Sequence, residues 1–192
     1  MGHIEQLLRD YGPLGVFLGA AFEGQTAVVA GGFLAHLKLM SVWTVGASAF
    51  AGSGLIDQAL FLAGRRFRSH DFVVRTSQTK AFAQALGFIE RYPVSYVIAF
   101  RFLFGLRLAS PIAIGVSQMP ALRFAFLNLL SAAIWAGTFT AIGFWFGQTF
   151  EAWFGRLKGL EHGLGVALVA IMGVVATYHL VKWLWPYLRP RR

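Results

Sequence analysis

The chain has 192 residues, 57% of them hydrophobic and 13% charged, with a formal net charge of +9 and no cysteine. Its uncharged runs are long enough to cross a bilayer core of about 30 Å, so the composition is that of a polytopic membrane protein. The basic residues sit between and after apolar runs, where they set topology and meet anionic lipid, which excludes a nucleic-acid module; the missing cysteines exclude a disulfide framework, a thiolate metal site and a thiol nucleophile.

At the N-terminus, MGHIEQLLRDYG has neither the basic and apolar regions nor the small-residue cleavage site of a signal peptide, and no cleavage is expected. Residues 1–11 place Ile4, Leu7, Leu8 and Tyr11 opposite Glu5, Arg9 and Asp10, the pattern of an interfacial helix. Residues 12–37 are apolar but interrupted by Glu23-Gly24-Gln25-Thr26, which predicts a re-entrant hairpin with its tip near Glu23. Residues 41–63 form a membrane span broken only by Asp57, an acid close enough to the span's end to pair with Arg65 or Arg66.

Residues 64–92 carry Arg65, Arg66, Arg68, Arg75, Lys80 and Arg91 against Asp71 and Glu90, and the positive-inside rule makes them cytoplasmic. Within them, Thr79 to Ile89 reads as a surface helix. Residues 93–120 run from Pro93 to Pro120 and contain Arg101 and Arg107, six residues apart in an otherwise apolar stretch. Each arginine at mid-bilayer costs roughly 2.5–3.5 kcal/mol, so both need an anion. Gly105 and Pro111 interrupt the same stretch, and broken backbone at that depth is tolerated only against protein or a wet cavity. A second re-entrant hairpin is expected.

A second span covers residues 124–150 and a third residues 163–185, with Asn128 the most polar residue early in the second. Lys182, Trp183, Trp185, Tyr187, Arg189, Arg191 and Arg192 make a cytoplasmic aromatic and basic anchor. His36 and His179, near the ends of apolar runs, are expected to be interfacial or hydrogen-bonded rather than proton relays.

Sliding the chain by 83 residues aligns Ala30 with Ala113, Gly32 with Gly115, Gly54 with Gly137, Phe61 with Phe144 and Gly64 with Gly147. The first span ends in Arg65-Arg66 and the second in Gln148 and Glu151, so the halves would face opposite ways. The expected fold is therefore all-α and integral to the membrane: an inverted repeat of two re-entrant hairpins, each followed by a transmembrane helix, plus a C-terminal transmembrane helix. The same shift sets Glu23 opposite Leu106, beside Arg107, and makes Glu23 the expected partner of the arginines. Arg101 and Arg107 suit a lipid phosphate, which would displace Glu23 and leave it to take up a proton; a static ion pair stapling the hairpins is the bland alternative. Gln25 and Asn128 are either pocket hydrogen-bonders or helix-packing groups. No metal-binding, nucleophile-elbow or nucleotide-loop motif is present in the sequence, so no cofactor is expected and the chain reads as a transporter rather than an enzyme.

The stretch FRFLFGLRLASPIAIGVSQMPALRFAFLNLLSAAIWA, from Phe100 to Ala136, resembles the signature of the DedA family, also called SNARE-associated Golgi or VTT-domain proteins. The match rests on Arg101-Phe102, Gly105, Arg107, Pro111, Gly115, Ser117, Met119, Arg123-Phe124, Asn128 and Trp135. Upstream, GLIDQALFLAGR is similar to the family's Gly-Asp-x-x-x-Tyr-x-x-Gly-Arg element, with Asp57 and Gly64-Arg65 in place and Phe61 for the tyrosine, and Glu23-Gly24-Gln25-Thr26 resembles its acidic hairpin. The resemblance implies a bacterial inner-membrane protein, C-terminus cytoplasmic, that moves phospholipid or undecaprenyl phosphate. It also implies that Glu23, Arg101 and Arg107 are the functional residues; Asp57, from its place in the span, is a second candidate for proton coupling or an acid paired with Arg65 or Arg66. Gln25 stands where a second hairpin acid is common, which makes an uncoupled scramblase the main alternative. The oligomeric state stays open, a homo-oligomer included.

Overall fold

The computed structural model describes residues 3–22, 24–69, 87, 89–102 and 107–154, and all regular structure among them is helical. The elements are α1 (His3–Phe22), α2 (Gln25–His36), α3 (Val42–Arg66), α4 (Pro93–Ala99) continued by a 3-10 turn (Phe100–Phe102), α5 (Ala109–Val116) and α6 (Ala121–Phe154). Glu23, Gly105, most of the basic segment 64–92 with its surface helix, and the third span with its anchor lie outside the described residues.

α3 and α6 have 25 and 34 residues. At 1.5 Å per residue each exceeds the roughly 30 Å of a bilayer core. Both carry large apolar side chains on their surfaces, Leu55 and Leu62 on α3 and Leu122, Phe126, Leu129, Ile134, Ile142 and Trp145 on α6, all exposed. Exposed apolar stripes of that length are what a lipid-facing helix needs and a water-facing one avoids. The two helices match the expected spans 41–63 and 124–150, each extended by a turn at one or both ends.

The break expected near Glu23 is present: α1 ends at Phe22, Gly24 takes φ 108°, a left-handed conformation that favours glycine, and α2 starts at Gln25. One boundary differs. The sequence separates an interfacial helix at Tyr11, yet α1 runs unbroken through Tyr11, Gly12 and Pro13. Proline removes one hydrogen bond but its φ is already helical, so helix continues where neighbouring turns hold it. Pro111 likewise does not break its helix. It is the third residue of α5, in the first turn, where its missing N–H would have had no intrahelical acceptor.

The chain forms two compact units, residues 1–52 with 136–192 and residues 53–135. Both long helices cross the division, α3 after Gly52 and α6 after Trp135, positions 83 residues apart.

In the first unit α2 packs on the later half of α6. A Cβ on Gly32 would press on the Thr140 carbonyl and lie 3.1 Å from the Gly143 Cα and the Phe144 nitrogen; one on Gly143 would meet the Val29 carbonyl. His36, at the end of α2, lies 2.7 Å from the Glu151 carboxylate and edge-on to Phe144. In the second unit α5 packs on the later half of α3. A Cβ on Gly115 would press on the Phe61 carbonyl and one on Gly64 on the Ile112 carbonyl. The core there is Phe61, Ile89, Val97, Phe100, Ile114, Met119, Phe124 and Leu127, with Phe61 stacked on Phe124 at 4.2 Å.

Candidate anion site in the second unit

On α3, Ser53, Asp57, Phe61 and Gly64 follow one another at intervals of three or four residues and share one face. Asn128, Ser131 and Trp135 do the same on α6. The 3-10 turn after α4 brings Arg101 to these polar stripes. Its guanidinium lies 2.7 Å from Asp57, with both side chains wholly buried. It also donates to the Ser53 hydroxyl and to the Asn128 side-chain oxygen. Asn128 is itself fixed by donating from Nδ2 to the Gly54 carbonyl at 3.0 Å. Neither Asp57 oxygen receives an aligned hydrogen bond from the described residues, so charge and proximity hold this pair.

Arg107, 8% exposed, sets its guanidinium 4.6 Å from the centre of the buried Trp135 ring and interacts electrostatically with Asp57 as well. The indole face attracts the cation through the ring quadrupole. One carboxylate, an amide and a hydroxyl on the two long helices thus share a buried polar cluster with two guanidiniums from the segment between α4 and α5.

Of the residues singled out in the sequence, Asp57, Arg101, Asn128 and Arg107 belong to this cluster. Gln25 and Gly24 belong to the first unit. Gln25 is partly buried as the first residue of α2. Asp57 has a different ion-pair partner from the one expected. Arg101 pairs with Asp57, an acid the sequence assigned elsewhere, whereas Glu23, its expected partner, lies outside the described residues. Asp57 does not pair with Arg65, which lies eight residues on. That is about 12 Å along the helix, beyond reach. Arg65 instead covers the Phe61 ring at 4.9 Å and donates to the carbonyls of Gly115, Ser117 and Met119, capping the C-terminal end of α5.

Sequence reasoning missed Ser53 as a ligand of Arg101, the capping role of Arg65 and the His36–Glu151 pair. The signal for Ser53 was available, four residues before Asp57 on the same helix face. The other two depend on which helix ends meet, and local pattern does not carry that.

Inner membrane protein YohD of Escherichia coli is 34% identical to this chain over 180 residues, covering 93% of this chain and 94% of that protein. An uncharacterised membrane protein of Synechocystis is 29% identical over 199 residues, 94% of this chain and 88% of that protein. An uncharacterised membrane protein of Mycobacterium leprae is 24% identical over 160 residues, 81% and 71% respectively. No family model and no solved structure matches the chain. With apolar helices of membrane-spanning length and a relative this similar over nearly its whole length, the chain is a membrane protein and belongs to the family of YohD.

Proposed function

We propose that this protein is a lipid transporter of the DedA type, moving a phosphate-bearing lipid across the inner membrane. The observation that carries the reading is the burial of Arg101 and Arg107 on one interrupted helical segment, with Arg101 held by a carboxylate that a phosphate can replace. Phosphate offers the guanidinium fork the same oxygen geometry as a carboxylate, with one more acceptor. Ser53 and Asn128 keep Arg101 aimed while Asp57 exchanges for the lipid headgroup, the tails remaining in the bilayer. The acids through which a proton gradient would act are Asp57 and, by the resemblance, Glu23. The reaction is movement rather than bond-making, so no enzymatic turnover is expected.

The inverted-repeat architecture is part of this proposal. Its support is that packing recurs with the spacing of the sequence repeat: Gly32 on Phe144 corresponds to Gly115 on Phe61, Val29 corresponds to Ile112, and the two unit divisions are 83 residues apart. In each case a short arm packs on the long helix of the other half, as in transporters whose broken segments are exchanged between repeats.

The test is transbilayer movement of labelled phospholipid and of polyprenyl phosphate in liposomes containing the purified protein, with and without a proton gradient. Wild type is compared with Glu23→Gln and Arg107→Lys, the latter keeping charge but losing the fork. Loss of movement in Arg107→Lys is the expected result, and gradient dependence separates a coupled transporter from a scramblase. A second reading, a structural or regulatory membrane protein, draws on the number of protein ligands around Arg101: its fork is already engaged by Asp57, Ser53 and Asn128, as a staple would be. Folded protein that moves neither lipid would favour it.

A further inference from the structure

A second cationic site lies in the first unit, apart from the buried pair. The turn between α2 and α3 opens a cleft of about 480 Å³ lined by Arg9 and Pro13 from α1, Ala35, Lys38, Leu39, Met40 and, at the start of α3, Ser41 and Thr44. Two cations and two hydroxyls line it with an apolar floor, and no carboxylate is among the lining residues.

The placement of Lys38 is deliberate in the physical sense. α2 ends in a Schellman motif: Leu39 N–H donates to the Leu34 carbonyl at 3.1 Å and Lys38 N–H to the Ala35 carbonyl at 3.1 Å, while Leu34 and Leu39 are both buried. The residue between them must be left-handed, and glycine is the usual occupant. Here it is Lys38 with φ 61°, the one non-glycine residue of positive φ among the described residues. A lysine in that conformation is strained where glycine would not be, and such strain persists at ligand clamps. Nor does the fold itself require the charges. The positions 83 residues on from Arg9 and Lys38 are Tyr92 and Ala121, so neither cation recurs at its own position in the other half.

Trp43, 87% exposed in the first turn of α3, fixes the level of the cleft. Exposed tryptophan at the end of a membrane-spanning helix marks the lipid–water boundary, where headgroups lie. We propose that the Arg9–Lys38 cleft is a binding site for the phosphate of an anionic lipid headgroup, taken from the leaflet at the α3 N-terminal end. The phosphate oxygens sit between the guanidinium and the ammonium, Ser41 and Thr44 donate hydroxyl hydrogens, and the glycerol backbone meets Leu39 and Met40. This site stands whether or not the buried arginines carry lipid.

The experiment is thermal unfolding of the purified full chain in detergent, with dioctanoyl phosphatidylglycerol, dioctanoyl phosphatidylcholine or inorganic phosphate added. Phosphatidylglycerol is expected to raise the melting temperature of wild type, and the other two to raise it little. Arg9→Gln is expected to weaken the apparent affinity for phosphatidylglycerol about fivefold, the effect of one cation near a membrane surface. Lys38→Gly separates the lipid role from a structural one. Relief of the left-handed strain raises its melting temperature without lipid, while the response to phosphatidylglycerol falls. Arg91→Gln, which removes an exposed cation elsewhere, keeps the wild-type response. A full response in Lys38→Gly, or an equal loss in Arg91→Gln, would overturn the site; an equal rise with inorganic phosphate would overturn its assignment to lipid.

Discussion

In the first unit His36 of the short arm meets Glu151 of the long helix where the Glu151 side chain is 62% exposed; in the second, the Asp57–Arg101 pair, between the long helix α3 and the turn after α4, has no exposure at all. Both units seat a short helix on a long one through glycines against backbone carbonyls. The first holds its arm with that contact, an aromatic edge from Phe144 and an exposed hydrogen bond between His36 and Glu151. Holding an arm therefore does not require a buried charge. Desolvating an ion pair costs several kcal/mol per ion, and a well-packed apolar pair would hold α3 to the 3-10 turn equally well. The second unit retains the pair at that cost, and under the proposed function the cost serves exchange of the Asp57 carboxylate for a phosphate at Arg101.

The comparison can be broken most severely at the pair itself. Asp57→Ala leaves Arg101 buried without its carboxylate and should destabilise the protein by about 3–5 kcal/mol, read by thermal or denaturant unfolding in detergent. His36→Ala, the corresponding change in the first unit, should cost no more than about 1 kcal/mol, because its partner is solvated. Equal losses in the two would erase the distinction between the units.

Next in size are the glycine seats. Gly115→Val and Gly143→Val each push a side chain against a carbonyl, Phe61 in one unit and Val29 in the other, and each should cost about 1–3 kcal/mol. Similar costs would show that both arms rest on close backbone contact; a large cost in one alone would argue against it. Smallest is the capping of α5. Arg65→Gln loses the charged donor to the Gly115, Ser117 and Met119 carbonyls and should cost about 1.5 kcal/mol. Hydrogen exchange at the C-terminal end of α5 should rise with it, while α2 stays unchanged.

The parts of this picture that sequence carries are the local ones. Uncharged length gives α3 and α6 to within a turn or so at each end, and Glu23-Gly24 gives the break between α1 and α2 because glycine is needed where φ turns positive. Arg101 and Arg107 stand out because charge is expensive in an apolar run. Their surroundings were less legible. Asp57 and Arg101 are 44 residues apart, and only the folded helices bring the Ser53–Asp57 stripe against the turn after α4. Glu23, the partner expected from the repeat alignment, lies outside the described residues. The boundary set at Tyr11 followed a change of pattern from amphipathic to apolar, and such a change marks a change of surroundings without interrupting the backbone of α1.

The most direct test replaces the buried pair by an apolar one of similar volume, Asp57→Leu with Arg101→Met, and measures both unfolding and transbilayer lipid movement in liposomes. Removing both charges together avoids the penalty of either single change, so the double variant should fold with near wild-type stability. This folded protein is expected to move no lipid. A double variant that is stable and still moves lipid at the wild-type rate would contradict that expectation and leave the pair as a staple.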